Sequence, residues 1–194
     1  MAEEARQNGW LSRLERAVAK GAVVDVRPGV YLPARRWRGL SPADRVLARI
    51  YAASLTHPDA VFAAHSAAAL FRLPLPEDAR GDVHVLRAPA GAEGLVAHAD
   101  SGVGAVVERF GLRVTSPVQT VLDMAVLLDY DDALALLRAA IRPGSGPHDL
   151  YDEPPLCSKA ELLEAAEAVA ERTGHGELVE LARALGPEHL SAAA

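Results

Sequence analysis

The residues of this chain best suited to chemistry are its seven histidines and its small clusters of aspartate. His84 and His98 stand two residues from Asp82 and Asp100, in two β-prone runs, Val83 to Leu86 and Leu95 to His98. Side chains alternate faces along a strand. Asp82 therefore shares a face with His84, and His98 with Asp100, which makes a four-ligand metal cluster if the strands are neighbours. The plainer reading is preferred: Val83, Val85 and Val96 form the buried face, and the histidines are the wet side of a sheet. His65-Ser66 has the composition of a base and a nucleophile. Sequence neighbours seldom face each other, however, and Ser66 is better used as the N-cap of the Ala-rich run that follows. Cys157 lies in a Gly/Pro-rich stretch with no sign of an activating base. Asp129, Asp131 and Asp132 gather at a helix start, where carboxylates favour the dipole. Metal-dependent nucleases of the restriction type need an acid two residues before a lysine. The only lysines, Lys20 and Lys159, have Val18 and Cys157 in that position. The glycines between 91 and 104 lack the strand, loop and helix of a phosphate-binding loop. No catalytic residue, metal or cofactor is expected, and hence no enzyme.

Charge is more informative. The chain has 194 residues and a net charge of -6, but the sign is divided. Residues 1–60 hold ten Lys/Arg against six Asp/Glu, a net of +4; residues 61–194 hold ten against twenty, a net of -10. A basic head on an acidic body suggests that the head binds an anion, with nucleic acid the first choice. Half of the residues are hydrophobic and only 5% aromatic, so an Ala-, Leu- and Val-rich core is expected rather than disorder. One cysteine excludes a disulfide framework and a Cys-cluster zinc site. Residues 1–8 carry charge and no apolar stretch, so no signal peptide is expected. The most apolar run, Ala60 to Phe71, is well short of the ~20 residues that a membrane helix needs. A cytoplasmic protein without a membrane partner is expected.

The elements that position these groups follow from periodicity and punctuation. Trp10 to Lys20 reads as an amphipathic helix, with Trp10, Leu11, Leu14, Ala17 and Val18 in one sector and Ser12, Arg13, Arg16 and Lys20 in the opposing one. Gly21 stops it. Ala22 to Val26 and Val30 to Leu32 make a hairpin around Arg27-Pro28-Gly29. A helix followed by a two-stranded hairpin is the second half of a winged helix-turn-helix. Pro33 to Leu40 reads as a basic connector carrying Arg35 and Arg36. Ser41-Pro42-Ala43-Asp44 opens a helix that buries Val46, Leu47, Ile50 and Ser54. Ser116-Pro117-Val118-Gln119 and Ser158-Lys159-Ala160-Glu161 are capping boxes that open further helices. The last pair of helices carries a stripe of Glu161, Glu164, Glu167 and Glu171, opposite Leu162, Ala166 and Val169. It reads as a solvated face or as a docking surface for a basic partner. The expected organisation is a head over 1–57, an α+β body over 58–142, a linker over 143–157 and C-terminal helices over 158–190. The fold class is α+β: a partial N-terminal winged helix-turn-helix, a mixed α/β body and a C-terminal helical pair.

Three phrases stand together in a familiar order: Arg27-Pro-Gly-Val-Tyr-Leu-Pro33, His65-Ser-Ala-Ala-Ala-Leu-Phe-Arg-Leu-Pro74 and Gly111-Leu-Arg-Val-Thr-Ser-Pro-Val-Gln-Thr-Val-Leu-Asp123. From about Leu11 to Leu185 the chain resembles the AbiEi-like family of bacterial antitoxins and transcriptional regulators. The resemblance implies a winged helix that binds operator DNA and a following domain that counteracts a nucleotidyltransferase-like toxin. On that reading Ser12, Arg13, Arg16 and Lys20 face the major groove, Arg27 sits on the wing, and Arg35 and Arg36 meet flanking phosphates. The chain departs from many relatives in ending before their nuclease-like domain. It also has only ten residues before Leu11, where a winged helix sets further helices. A remnant head, an upstream start codon, and completion by another protomer in a homo-oligomer are the three alternatives. The competing function is a protein-interaction module whose head no longer touches DNA.

Overall fold

A computed structural model describes residues 2–76, 81–88, 92–102, 104–143 and 154–186. Residues 144–153, most of the expected linker, and 187–190, the end of the expected C-terminal segment, lie outside the described residues. The fold is α+β, and the chain divides into two compact units, Met1–Pro58 and Asp59–Ala194.

The first unit holds α1 (Ala2–Ala19), β1 (Val23–Arg27), β2 (Val30–Pro33), α2 (Ala34–Gly39) and α3 (Pro42–Thr56). Gly21, at φ 62°, ends α1: its N–H reaches Val18 O and that of Ala22 reaches Ala17 O. The antiparallel hairpin turns at Pro28-Gly29, with Gly29 at φ 82°. A bulge sets Asp25 and Arg27 against Tyr31 and Val30, so alternation breaks between them. The expected connector is a helix instead. α2 has no apolar period of its own, and it is anchored from outside. Arg45 and Arg49 of α3 lie over the Trp37 ring at 5.5 and 5.0 Å, and Arg45 Nε donates to Trp37 O. Ser41 caps α3 by accepting from Asp44 N, and Val46, Ile50, Ala52 and Ala53 are buried. Leu47 and Ser54, expected in the core, are only half-buried.

The second unit holds β3 (Val61–Phe62), α4 (Ala64–Leu70), β4 (Val83–Leu86), β5 (Leu95–His98), β6 (Val106–Arg109), β7 (Leu112–Thr115), α5 (Pro117–Ala125), α6 (Tyr130–Ala140), α7 (Lys159–Thr173) and α8 (Glu177–Ala184). Its five-stranded mixed sheet has the order β5-β4-β3-β7-β6. β4 and β5 are parallel, and β6 and β7 close a hairpin through Phe110 and Gly111, both at positive φ. α4 packs on β4 and α5, α5 also meets α6 and α7, and α8 rests on α6 and α7. Phe62, Leu70, Val114, Leu122, Met124, Leu136 and Leu137 are fully buried at the centre. Burying each such side chain contributes ~1.5–3 kcal/mol. Ser158 and Glu161 form the expected capping box. At α5 only half of the expected box is present. Ser116 accepts from Gln119 N, whereas the Gln119 amide turns away to Asp100.

Candidate nucleic-acid interface

In the first unit α1 presents its expected polar sector to solvent. Ser12, Arg13, Arg16 and Lys20 are exposed, and Arg16 Nε donates to Ser12 O one turn back at 2.9 Å. Arg35 and Arg36 on α2 are exposed as well. The unit holds ten basic residues and five acidic ones, so its net charge is +5. Arg27 is the correction. It is 8% exposed, because the bulge before it turns its side chain away from the face that Asp25 occupies. A buried guanidinium cannot contact phosphate from a wing. The apolar sector of α1 is also unlike a core face: Trp10, Leu11 and Val18 are 63%, 51% and 44% exposed.

In the second unit the four acids of the C-terminal stripe are exposed, and Leu162, Ala166 and Val169 are buried beneath them. They are not four equivalent charges. Glu161 accepts from the backbone and hydroxyl of Ser158, which holds its carboxyl below the usual range. Glu167 pairs with Arg183 at 3.5 Å. Glu161 and Glu164 line a groove of about 350 Å³ with Ser116, Val118 and Arg172. Arg172 closes one end by donating to Ser101 O and Gly102 O.

The two strands that carry His84 and His98 bring together a different group. β4 and β5 do pair, but the register sets Val96 opposite His84, so Val96 lies on the histidine face and not on the valine face. Asp82 is exposed, and Asp100 is engaged by Gln119, by Gly102 N and by Arg87. The third member of the row is His65, on the first turn of α4. His84 Nδ1 lies 3.4 Å from His65 Nδ1 and 2.7 Å from His98 Nε2, with ring centroids 4.4 and 5.0 Å apart. The rings are half-buried rather than wet. Burial, and then the neighbouring His65 and His98, push His84 down to about 4; burial also lowers His98. Among the described residues no set of three or more His, Cys, Asp or Glu side chains could hold a metal ion.

Ser66 does not cap α4. The helix starts two residues earlier, after Ala63, with Ala64 held at φ 44°. That conformation costs a non-glycine residue ~1–2 kcal/mol. Ser66 is buried and accepts the His84 N–H at 2.8 Å, while Ala63 N–H donates to His84 O. These bonds tie the turn into α4 to β4. Nothing in the His65-Ser66 pair forms a nucleophile. Cys157 is buried, and burial with the nearby Glu161 pushes its thiol up to about 12, so it stays unreactive. Asp129 accepts from Asp132 N as a helix cap.

Sequence reasoning passed over Asp123. Burial pushes its carboxyl up to about 6, with Ser101 and Gln119 opposing the rise and Asp100 adding to it. Its Oδ2 is buried without a hydrogen-bond partner of normal geometry. The available signal was an acid at the apolar spacing of a helix, four residues after Gln119. Among the described residues no helix is long and apolar enough to cross a membrane. No protein-family model matches the chain, and no curated protein or solved structure matches it.

Proposed function

We propose that the chain is a non-enzymatic, cytoplasmic regulator of the antitoxin type. Its first unit binds operator DNA, and its second counteracts a toxin resembling a nucleotidyltransferase. One observation carries the DNA reading. α1 and the residue that follows it expose Ser12, Arg13, Arg16 and Lys20, and the chain leads straight on into an antiparallel hairpin, inside a unit of net charge +5. Cations on a helix face supply phosphate contacts, and the residues between them reach base edges. Arg35 and Arg36 add phosphate contacts beside them; Arg27 does not.

The exposed Trp10, Leu11 and Val18 favour a second reading, in which α1 meets a protein through its apolar face and the head leaves DNA alone. Electrophoretic shift of the DNA upstream of the protein's own coding sequence separates the two. Retardation that Arg13→Ala and Arg16→Ala weaken, and that Trp10→Ala leaves intact, supports the regulator. No retardation at low salt, with self-association or partner binding lost in Trp10→Ala, supports the interaction module.

A further inference from the structure

The histidine row links three segments that are far apart in sequence: the first turn of α4, strand β4 and the edge strand β5. We propose that His65, His84 and His98 form a pH-sensitive latch, in which neutral imidazoles hold β5 and the start of α4 on β4 and proton uptake releases the β5 edge.

The geometry gives the reason. The 2.7 Å contact between His84 Nδ1 and His98 Nε2 accommodates one proton, donated by one ring and accepted by the other. Charging both rings removes the acceptor and sets two like charges in rings 5.0 Å apart, with His65 a further 4.4 Å beyond His84. β5 ends the sheet, so β4 is its one strand partner among the described residues. α4 starts from the strained Ala64, and its Ser66 hydroxyl takes the His84 N–H, so displacement of His84 loosens both neighbours. The other charges on the surrounding elements are few. β4 is flanked by Asp82 and Arg87, β5 by Glu93 and by Asp100 (which pairs with Arg87), α4 is followed by Arg72, α5 carries Asp123, β7 carries Arg113, and β3 carries none. The lowered proton affinity of His84 and His98 agrees with a row built to stay neutral.

The test is native-state hydrogen exchange of the full chain between pH 7.5 and 5.0, corrected for the intrinsic exchange rate. The amides of β5 should open ~10-fold more often at pH 5.0 than at pH 7.5, while β6 and β7 serve as the internal reference. His98→Gln keeps a donor for His84 but cannot charge, and should cut the dependence to ~3-fold or less. His65→Gln is the second variant if that chain fails to fold. Asp123→Asn should leave the β5 dependence in place. Exchange in β5 that ignores pH, an equal change in β6 and β7, or the full dependence in the His98→Gln chain would each overturn the latch.

Discussion

Arg13→Ala combined with Arg16→Ala tests the interface through the salt dependence of binding rather than through affinity alone. Five of the exposed cations on α1, on the residue following it and on α2 are assigned to the interface: Arg13, Arg16, Lys20, Arg35 and Arg36. If each neutralises one phosphate, the log-log slope of affinity against salt is about -4.5 per protomer, from ~0.9 per contact. Raising salt from ~50 to ~200 mM then weakens binding about 500-fold. The double variant keeps three contacts, so its slope falls to about -2.7 and its loss over the same range to about 40-fold. Fluorescence anisotropy of labelled upstream DNA, titrated at four salt concentrations, measures both slopes. Arg27→Ala is the informative companion. Its side chain is buried, so the slope should stay near the parent value while the unfolding midpoint drops by the ~1–3 kcal/mol of a lost buried stem. Arg138→Ala, on the exposed face of α6, should change neither. A slope that falls by ~0.9 on Arg27→Ala with unchanged stability, or equal losses from Arg138→Ala and Arg13→Ala, would refute the assignment of the contacts.

Three further outcomes are expected. The purified chain should not cleave plasmid DNA with magnesium or manganese, because neither lysine has an acid two residues before it; activity that co-elutes through several columns would contradict this. Glu164→Lys with Glu167→Lys should slow association with a basic toxin and make its on-rate less sensitive to salt, and unchanged neutralisation with an intact fold would reduce the stripe to a solvated face. Asp123→Asn should raise stability at pH 7.5 by ~1–2 kcal/mol, discounted for partial solvent access, and the gain should shrink as pH falls from 6 to 4. Urea midpoints at several pH values check it, and a gain independent of pH would place the effect elsewhere.

What was legible in the sequence was local. Ser41, Ser116, Asp129 and Ser158 cap their helices through bonds to residues three ahead, so spacing alone identifies them. Gly21 and Gly111 mark ends that need positive φ. What was not legible came from residues that meet only in the fold. α2 is six residues of arginine-rich chain whose support is Trp37 lying under two side chains of α3. Arg27, which the sequence places in the hairpin turn and the resemblance on the wing, is inside because it ends β1 beyond a bulge. His65 joins His84 across 19 positions from the first turn of α4, and His84 joins His98 across 14 through the parallel pairing of β4 and β5; no local pattern encodes either. Gln119 gives its amide to Asp100, also 19 positions away, instead of closing its own cap.

Among the shifted groups of the second unit, His84 and Asp123 titrate with opposite sign, which decides how its pH response has to be measured. His84 binds its proton in the folded chain near pH 4, against 6.5 when unfolded, so acidification through that window costs stability. Asp123 works the other way. Its folded value near 6 exceeds 3.8, so its neutral form contributes stability that is complete below 3.8 and lost as pH rises through about 6. Between these limits protons taken up by the unfolded chain at His84 are offset by protons kept by the folded chain at Asp123. A global unfolding midpoint can therefore stay nearly flat while both groups are active. Removing one exposes the other: Asp123→Asn should reveal a fall in stability on acidification, and His98→Gln, by relieving the row, should reveal a rise. The two groups lie on different elements, β4 and α5, so exchange read amide by amide separates effects that a single midpoint averages away.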